Sequence, residues 1–157
     1  MSSYPGGYAG LVAVALATHA LVGYTLGALA LDRPLAGTVG ALAADADFLF
    51  PDALAWPFVH RGLTHSLPVA ALAVAAALAV DRRLGAAFGV GYASHLLIDT
   101  TTPTGVPWLY PLTDTSYYLD LATTGHSPVP TLVFWAGCLG LLWHQHALPL
   151  DALTSRR

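Results

Sequence analysis

The chain has 157 residues, enough for one domain and too few for two of ordinary size. Hydrophobic residues make up 55% of it and charged residues 10%, against about 25% charged in an ordinary soluble domain. Its nine acids are all Asp and its six bases all Arg, so it lacks the material for a charged, water-facing surface. The net charge of −3 comes without any basic run, which leaves no nucleic-acid surface, and Cys138 alone supports neither a disulfide framework nor a thiolate metal site.

Taken in order, five apolar stretches stand out: Tyr8 to Leu31, Leu35 to Phe50, Leu63 to Val80, Leu84 to Ile98, and Val129 to about Leu148. They predict an all-α polytopic transmembrane bundle of about five helices, forming one membrane-embedded domain over 1–157. A bilayer crossing takes about 20 residues, which the first and last stretches reach and the middle three do not. The first ten residues carry no Lys or Arg, so the opening stretch reads as a retained span and not as a cleavable signal. Gly and Ala are frequent in the middle stretches, where small residues let helices approach closely; Gly85 and Gly89 form a small-xxx-small pair.

Asp32-Arg33-Pro34 and Asp81-Arg82-Arg83 read as tight turns, and 51–62 as a moderate loop. The segment 99–130 is a long loop rich in Pro, Thr and aromatic residues, with Tyr117 to Leu121 predicted to form one interfacial turn. With five spans, Arg33, Arg82, Arg83, Arg156 and Arg157 share one side and Arg61 lies on the other. The excess of arginine marks the cytoplasmic side, so the loops 51–62 and 99–130 are predicted to face outward.

Seven ionisable residues lie in or beside the apolar stretches: His19, Asp45, Asp47, His60, His65, His95 and Asp99. Such groups are costly at membrane depth and face the bundle interior. In the topology above six of them meet at the outer face, with His19 as the floor of the site. His95 and Asp99 stand at i and i+4, on one helical face and about 6 Å apart, where one metal can take both. Asp45 and Asp47 converge only if their helix ends there, which Pro51 favours. His60 and His65 bracket a loop-to-helix junction. There Thr64 or Ser66 can cap, Pro68 fits the first turn, and Arg61 beside a helix N-terminus can hold a phosphate oxygen.

Each residue alone has a plain structural explanation. His19 suits helix packing, Asp45 and Asp47 a solvated helix end, and His95 with Asp99 a hydrogen-bonded pair; packing does not explain all seven on one face. His126 lies in the outward loop with no partner by spacing. His144 and His146 read as boundary residues at the opposite face, Asp52 as solvated, and Asp114 and Asp120 as loop acids.

The motifs Thr18-His19 with Gly23, Gly40 through Asp45-Ala-Asp47, His60-Arg-Gly-Leu-Thr-His65-Ser66, Ser94-His95-Leu-Leu-Ile-Asp99 and Thr102-Pro103-Thr-Gly105-Val106 resemble the YdjM-like family. Its members are inner-membrane proteins described as membrane-bound metal-dependent hydrolases. The resemblance covers about two-thirds of the chain. It departs from the family at Phe48, where the Asp-x-Asp motif is usually followed by His. The family is thought distantly similar to zinc-dependent phospholipases C and single-strand-specific zinc nucleases, which implies a zinc phosphoesterase on a helical scaffold.

These readings combine into an expectation. The chain is a membrane-bound metal-dependent hydrolase cleaving a phosphoester in a lipid, with one or two divalent ions, zinc above all. Its metal ligands come from His19, Asp45, Asp47, His60, His65, His95 and Asp99. Asp47 and Asp99 serve the reacting water and Arg61 the charge that develops on the substrate. The alternative is a non-catalytic metal-binding membrane protein, a carrier or sensor. A carrier calls for polar residues through the full depth of the membrane.

Overall fold

A computed structural model describes residues 6–51, 53–121 and 126–146, with only the backbone of His146; Asp52, Arg156, Arg157 and the His146 side chain lie outside the described part. Five α-helices run in the order α1 (Gly7–Leu31), α2 (Pro34–Ala43), α3 (Leu67–Val80), α4 (Arg82–Thr100) and α5 (Pro128–His146). Short 3-10 turns occupy Ala44–Leu49 and Leu63–His65. The described residues contain no strand, only an isolated bridge between Val106 and Tyr117.

The boundaries follow from local chemistry. Asp32 takes the left-handed conformation (φ 55°) and ends α1, and Pro34 opens α2, where its missing N–H costs nothing. The second apolar stretch is helical only to Ala43. It then tightens into the 3-10 turn and leaves it in extended conformation at Phe50, as a residue before proline prefers. The turn expected over Asp81-Arg82-Arg83 shrinks to Asp81, whose carboxylate accepts the Leu84 N–H at 2.7 Å and starts α4 at Arg82. Tyr117 to Leu121 form no turn: Tyr117 exchanges two backbone hydrogen bonds with Val106, and the Leu119 N–H donates to the Thr100 carbonyl at 2.8 Å. The long loop is thereby tied to the end of α4.

Central in the bundle, α4 packs on α1, α2 and α3, while α5 lies against α1. The close approach depends on missing side chains. A Cβ on Gly91 would overlap the Gly37 carbonyl, and one on Gly37 would overlap the Gly23 carbonyl, so α4, α2 and α1 touch backbone to backbone. Gly85 meets the Leu78 backbone and Gly89 the Val74 side chain, so the small-residue pair is part of the α3–α4 contact.

Of the described helices, α1 alone is both long and apolar enough to cross a bilayer by itself; α3 is apolar but has 14 residues. Large apolar side chains nevertheless point outward from every helix, among them Val39 on α2, Leu72 on α3, Leu97 on α4 and Val133 on α5. The interior is small and polar by comparison, with Gly, Ala and Thr next to buried His and Asp.

Gly37→Leu should lower stability by about 2 kcal/mol or more, because the added side chain meets backbone that cannot yield. Gly137→Leu, at a position with nothing near its Cβ, should leave stability unchanged or slightly raised. Thermal unfolding followed by size-exclusion fluorescence compares the two; equal midpoints would refute this account of the packing.

Candidate metal centre

All seven residues singled out in the sequence come together where α2 ends, α3 begins and α4 ends. His19 reaches them from the middle of α1 and stacks on His95 with ring centroids 3.7 Å apart. Every one of the seven except His60 is buried.

The tautomers of two central histidines follow from their partners. His95 Nδ1 lies 2.6 Å from the Ala41 carbonyl in the last turn of α2; a carbonyl only accepts, so Nδ1 carries the proton. His65 Nδ1 faces the Asp47 carboxylate at 3.2 Å, which calls for the proton there too. Both Nε2 atoms are then left as acceptors, and they face each other at 3.2 Å. Asp99 Oδ2 lies 3.4 Å from each of them and Asp45 Oδ1 3.7 Å from each. Two imidazole nitrogens thus face each other beside the carboxylates of Asp99 and Asp45, an arrangement that a cation bound among them would relieve. Ligands bound tetrahedrally to zinc at about 2.0–2.1 Å stand roughly 3.3 Å from one another, close to these spacings. The donor set fits a divalent ion. His19, His95 and Asp99 form one group of atoms near enough to share an ion, and Asp45, His60 and His65 form a second.

Asp47 belongs to neither group. Its carboxylate is fully enclosed and takes four partners from the 60–65 segment: His60 Nδ1 (3.1 Å), the Arg61 N–H (3.0 Å), the Thr64 hydroxyl (2.9 Å) and His65 Nδ1. Arg61 sits there with φ 62°, and a Cβ on Gly62 would overlap the Pro57 carbonyl, so the segment folds tightly around the carboxylate. Carboxylates behind metal-binding histidines hold the ring orientation and raise its basicity. Thr64 is spent on Asp47, and Ser66, at the N-cap position of α3, turns back to the Leu63 carbonyl at 2.8 Å. Neither caps the helix.

Arg61 does not point to the start of α3 as its sequence position suggested. Its guanidinium pairs with Asp99 Oδ1 at 3.1 Å and donates to the Thr102 hydroxyl, beside the carbonyl end of α4, where positive charge is favoured. Asp99 therefore divides its carboxylate. Oδ2 faces the His65 and His95 acceptors, and Oδ1 gathers Arg61, His19 Nε2 (3.3 Å) and His126 Nε2 (2.9 Å).

Sequence spacing missed two participants. His126 joins through the loop, whose path the sequence does not reveal. Tyr92 is buried, and its hydroxyl donates to the Thr64 carbonyl at 2.5 Å, fastening the 60–65 segment to α4. Its position three residues before His95 and seven before Asp99, on the same helical face, was the available signal. His144 is exposed near the far end of α5, away from the site, and Asp114 and Asp120 are exposed.

A protein-family model described as YdjM inner membrane protein matches residues 14–154, a span that contains every residue of the cluster. No curated protein and no solved structure matches the chain.

Asp47→Ala would leave two imidazole N–H groups, a hydroxyl and a backbone N–H without their shared acceptor. Zinc affinity should fall by roughly 10- to 100-fold, while Asp114→Ala should leave it unchanged. Competition against a chelator of known affinity measures both. Unaltered affinity in Asp47→Ala would remove the orienting role.

Proposed function

The chain belongs to the YdjM inner membrane protein family, and we propose that it is a membrane-bound metal-dependent hydrolase that cleaves a phosphoester in a lipid. The observation that carries the reading is the approach of His65 Nε2 and His95 Nε2 to 3.2 Å, with Asp99 Oδ2 3.4 Å and Asp45 Oδ1 3.7 Å from each. They would hold a divalent ion, zinc by the mix of imidazole and carboxylate. His19 and His60 extend the set enough for a second ion. The buried His19 Nδ1, which has no hydrogen-bond partner, supports occupation of this region by something further. A divalent ion bound there would supply Lewis acidity and make water nucleophilic at neutral pH.

The chain's own groups have distinct tasks in this reading. Asp47 fixes the rings of His60 and His65. Arg61 and His126, both lining the cavity at the site, present N–H donors where charge develops on phosphoryl oxygens. Asp99 holds those donors in place through Oδ1. Among the described residues, the buried Thr25 hydroxyl bonds to its own helix and Thr18 bonds to its own helix and accepts from Trp135, which favours the hydrolase reading over a carrier with a polar path.

The membrane setting extends beyond α1 in this proposal. The outward apolar side chains on all five helices suit a polytopic bundle in lipid, since a soluble monomer does not expose such a belt. Leu49, Leu54, Trp56, Phe58 and Leu112, exposed in the loops near the site, suit the headgroup boundary. Arg33, Arg82 and Arg83 are exposed at the turns opposite the site, and by the bias of arginine to the cytoplasmic side they support an outward-facing site.

Purified protein reconstituted with zinc should hold at least one ion per chain. His95→Ala should lose it together with phosphodiesterase activity, and His144→Ala should lose neither. Arg61→Lys should keep the ion and lose roughly 10- to 100-fold in kcat. Elemental analysis of matched folded preparations decides the first point: equal loss, or no loss, in the two histidine variants would sink the metal reading. Orientation has its own test. Cysteine placed at Thr115 in a Cys138→Ala background should react with an impermeant thiol reagent on intact cells. Reaction only after lysis would mean that the site faces inward.

A further inference from the structure

Metal-binding histidines are usually steered by a hydrogen bond from the ring nitrogen that faces away from the ion. His95 has the Ala41 carbonyl for this, and His60 and His65 have the Asp47 carboxylate. His19 has no such support. Its Nε2 faces Asp99 Oδ1 at 3.3 Å, and its buried Nδ1 has no hydrogen-bond partner. Stacking on His95 orients the plane of the ring but does not hold α1 in place. The position of His19 therefore rests on the height and rotation of α1 itself.

The apolar contacts of α1 do little to fix that rotation. Gly23 and Gly27 pass close to Gly37 on α2 without a side chain that interlocks. Val22 joins an apolar cluster with Ile98 of α4 and Cys138 of α5, and apolar contact is non-directional. A directional bond lies one residue before His19. The Trp135 indole N–H donates to the Thr18 hydroxyl at 2.9 Å, and that hydroxyl donates in turn to the Val14 carbonyl at 2.7 Å. An indole nitrogen only donates and a hydroxyl carries one proton, so the direction of this chain is fixed. Thr18 is fully buried, and successive side chains leave a helix about 100° apart. The hydroxyl is thus held toward α5 while the neighbouring imidazole meets α4. At this level α1 cannot turn away from the cluster without breaking the bond to Trp135.

We propose that Trp135 is a positioning residue for the site: through Thr18 it sets the rotation of α1 that brings His19 to Asp99 and His95. Zinc affinity as a readout rests on the metal reading of the site, whereas the placement of His19 does not. The last part of the chain then serves the cluster at two points. His126, two residues before α5, meets Asp99 Oδ1 at 2.9 Å and stands edge-on to the His19 ring at 5.0 Å.

The test reads zinc affinity by chelator competition and histidine NMR of the metal-free protein, both on the full chain in nanodiscs. Interhelical hydrogen bonds in membrane proteins are worth about threefold in an equilibrium. Trp135→Phe keeps an aromatic ring and removes the donor, so it should lower zinc affinity by about that factor. Thr18→Val should do the same, Thr18→Ser should retain wild-type affinity, and Trp135→Phe with Thr18→Val should be no weaker than either alone. In a His19→Ala background Trp135→Phe should have no further effect. A loss of the same size there would mean a general loosening of α5 and would overturn the proposal. Isotope-labelled histidine reads the coupling without an ion: Trp135→Phe should move the imidazole resonances of His19 and leave those of His60 in place. Unchanged affinity in Trp135→Phe, or unmoved His19 resonances whether or not zinc binds, would also overturn it. Moved resonances in a protein that takes up no zinc would instead remove the metal reading and leave the positioning role standing. The NMR comparison decides the matter if His19→Ala does not fold.

Discussion

Two enclosed carboxylates govern the end of the bundle that carries the site. A charged group buried without partners costs several kcal/mol, so each must be surrounded by donors or cations before the neighbouring helices can pack. Asp47 meets this demand locally, drawing the 60–65 segment into a loop with four donors on one side chain. Asp99 meets it across the fold, with Arg61 from the same loop, His19 from α1 and His126 from the segment before α5. Chain connectivity around the site is thus dictated by acceptor satisfaction. What the donors leave over is two imidazole Nε2 atoms beside two carboxylate oxygens, a set that could hold a cation.

That demand fixes where the helices can end, and the ends shape the cavity. Asp45 can face His65 and His95 only if α2 gives way to a tighter turn, because i and i+2 diverge on a regular α-helix. The Ala41 carbonyl, in the last turn of α2, accepts the hydrogen bond from His95 Nδ1–H. Deeper in the bundle the logic is different. Gly23, Gly37 and Gly91 bring three backbones together, and the large side chains are turned outward. One half of the bundle is packed backbone to backbone, and the other ends in the buried His and Asp of the cluster.

Much of this was readable from spacing, and the unreadable part has a common cause. His95 and Asp99 share a helical face by arithmetic alone, and Pro51 announces the end of the helix that carries Asp45 and Asp47. The five apolar stretches match the five α-helices within a few residues, apart from the 3-10 ends. Spacing says nothing about partners brought by a loop. His126 could not be assigned, and Arg61 was expected at the start of α3 when its guanidinium lies at the end of α4. Asp47 read as a ligand equal to Asp45, since sequence distance does not distinguish a carboxylate facing the centre from one behind its histidines. The five stretches also differ as spans: among the described residues α1 alone has the length and apolarity to cross unaided.

Phe48 shows how such a site tolerates a change in its own motif. The family pattern usually has His at this point, next to the two aspartates. In this chain the Phe48 ring stacks on His60, with centroids 4.2 Å apart and planes 21° from parallel. His60 is the one cluster residue with a substantially exposed side chain, at 33%. It is held on one edge by Asp47 and on its face by Phe48. A histidine at position 48 would add another acceptor beside His60 and Asp45, where acceptors are already crowded. Phenylalanine keeps the support for the ring and makes the cavity mouth apolar. The departure therefore leaves the central His and Asp atoms untouched and makes the entrance more apolar, so its consequence falls on the approach to the site and not on the atoms that could hold an ion.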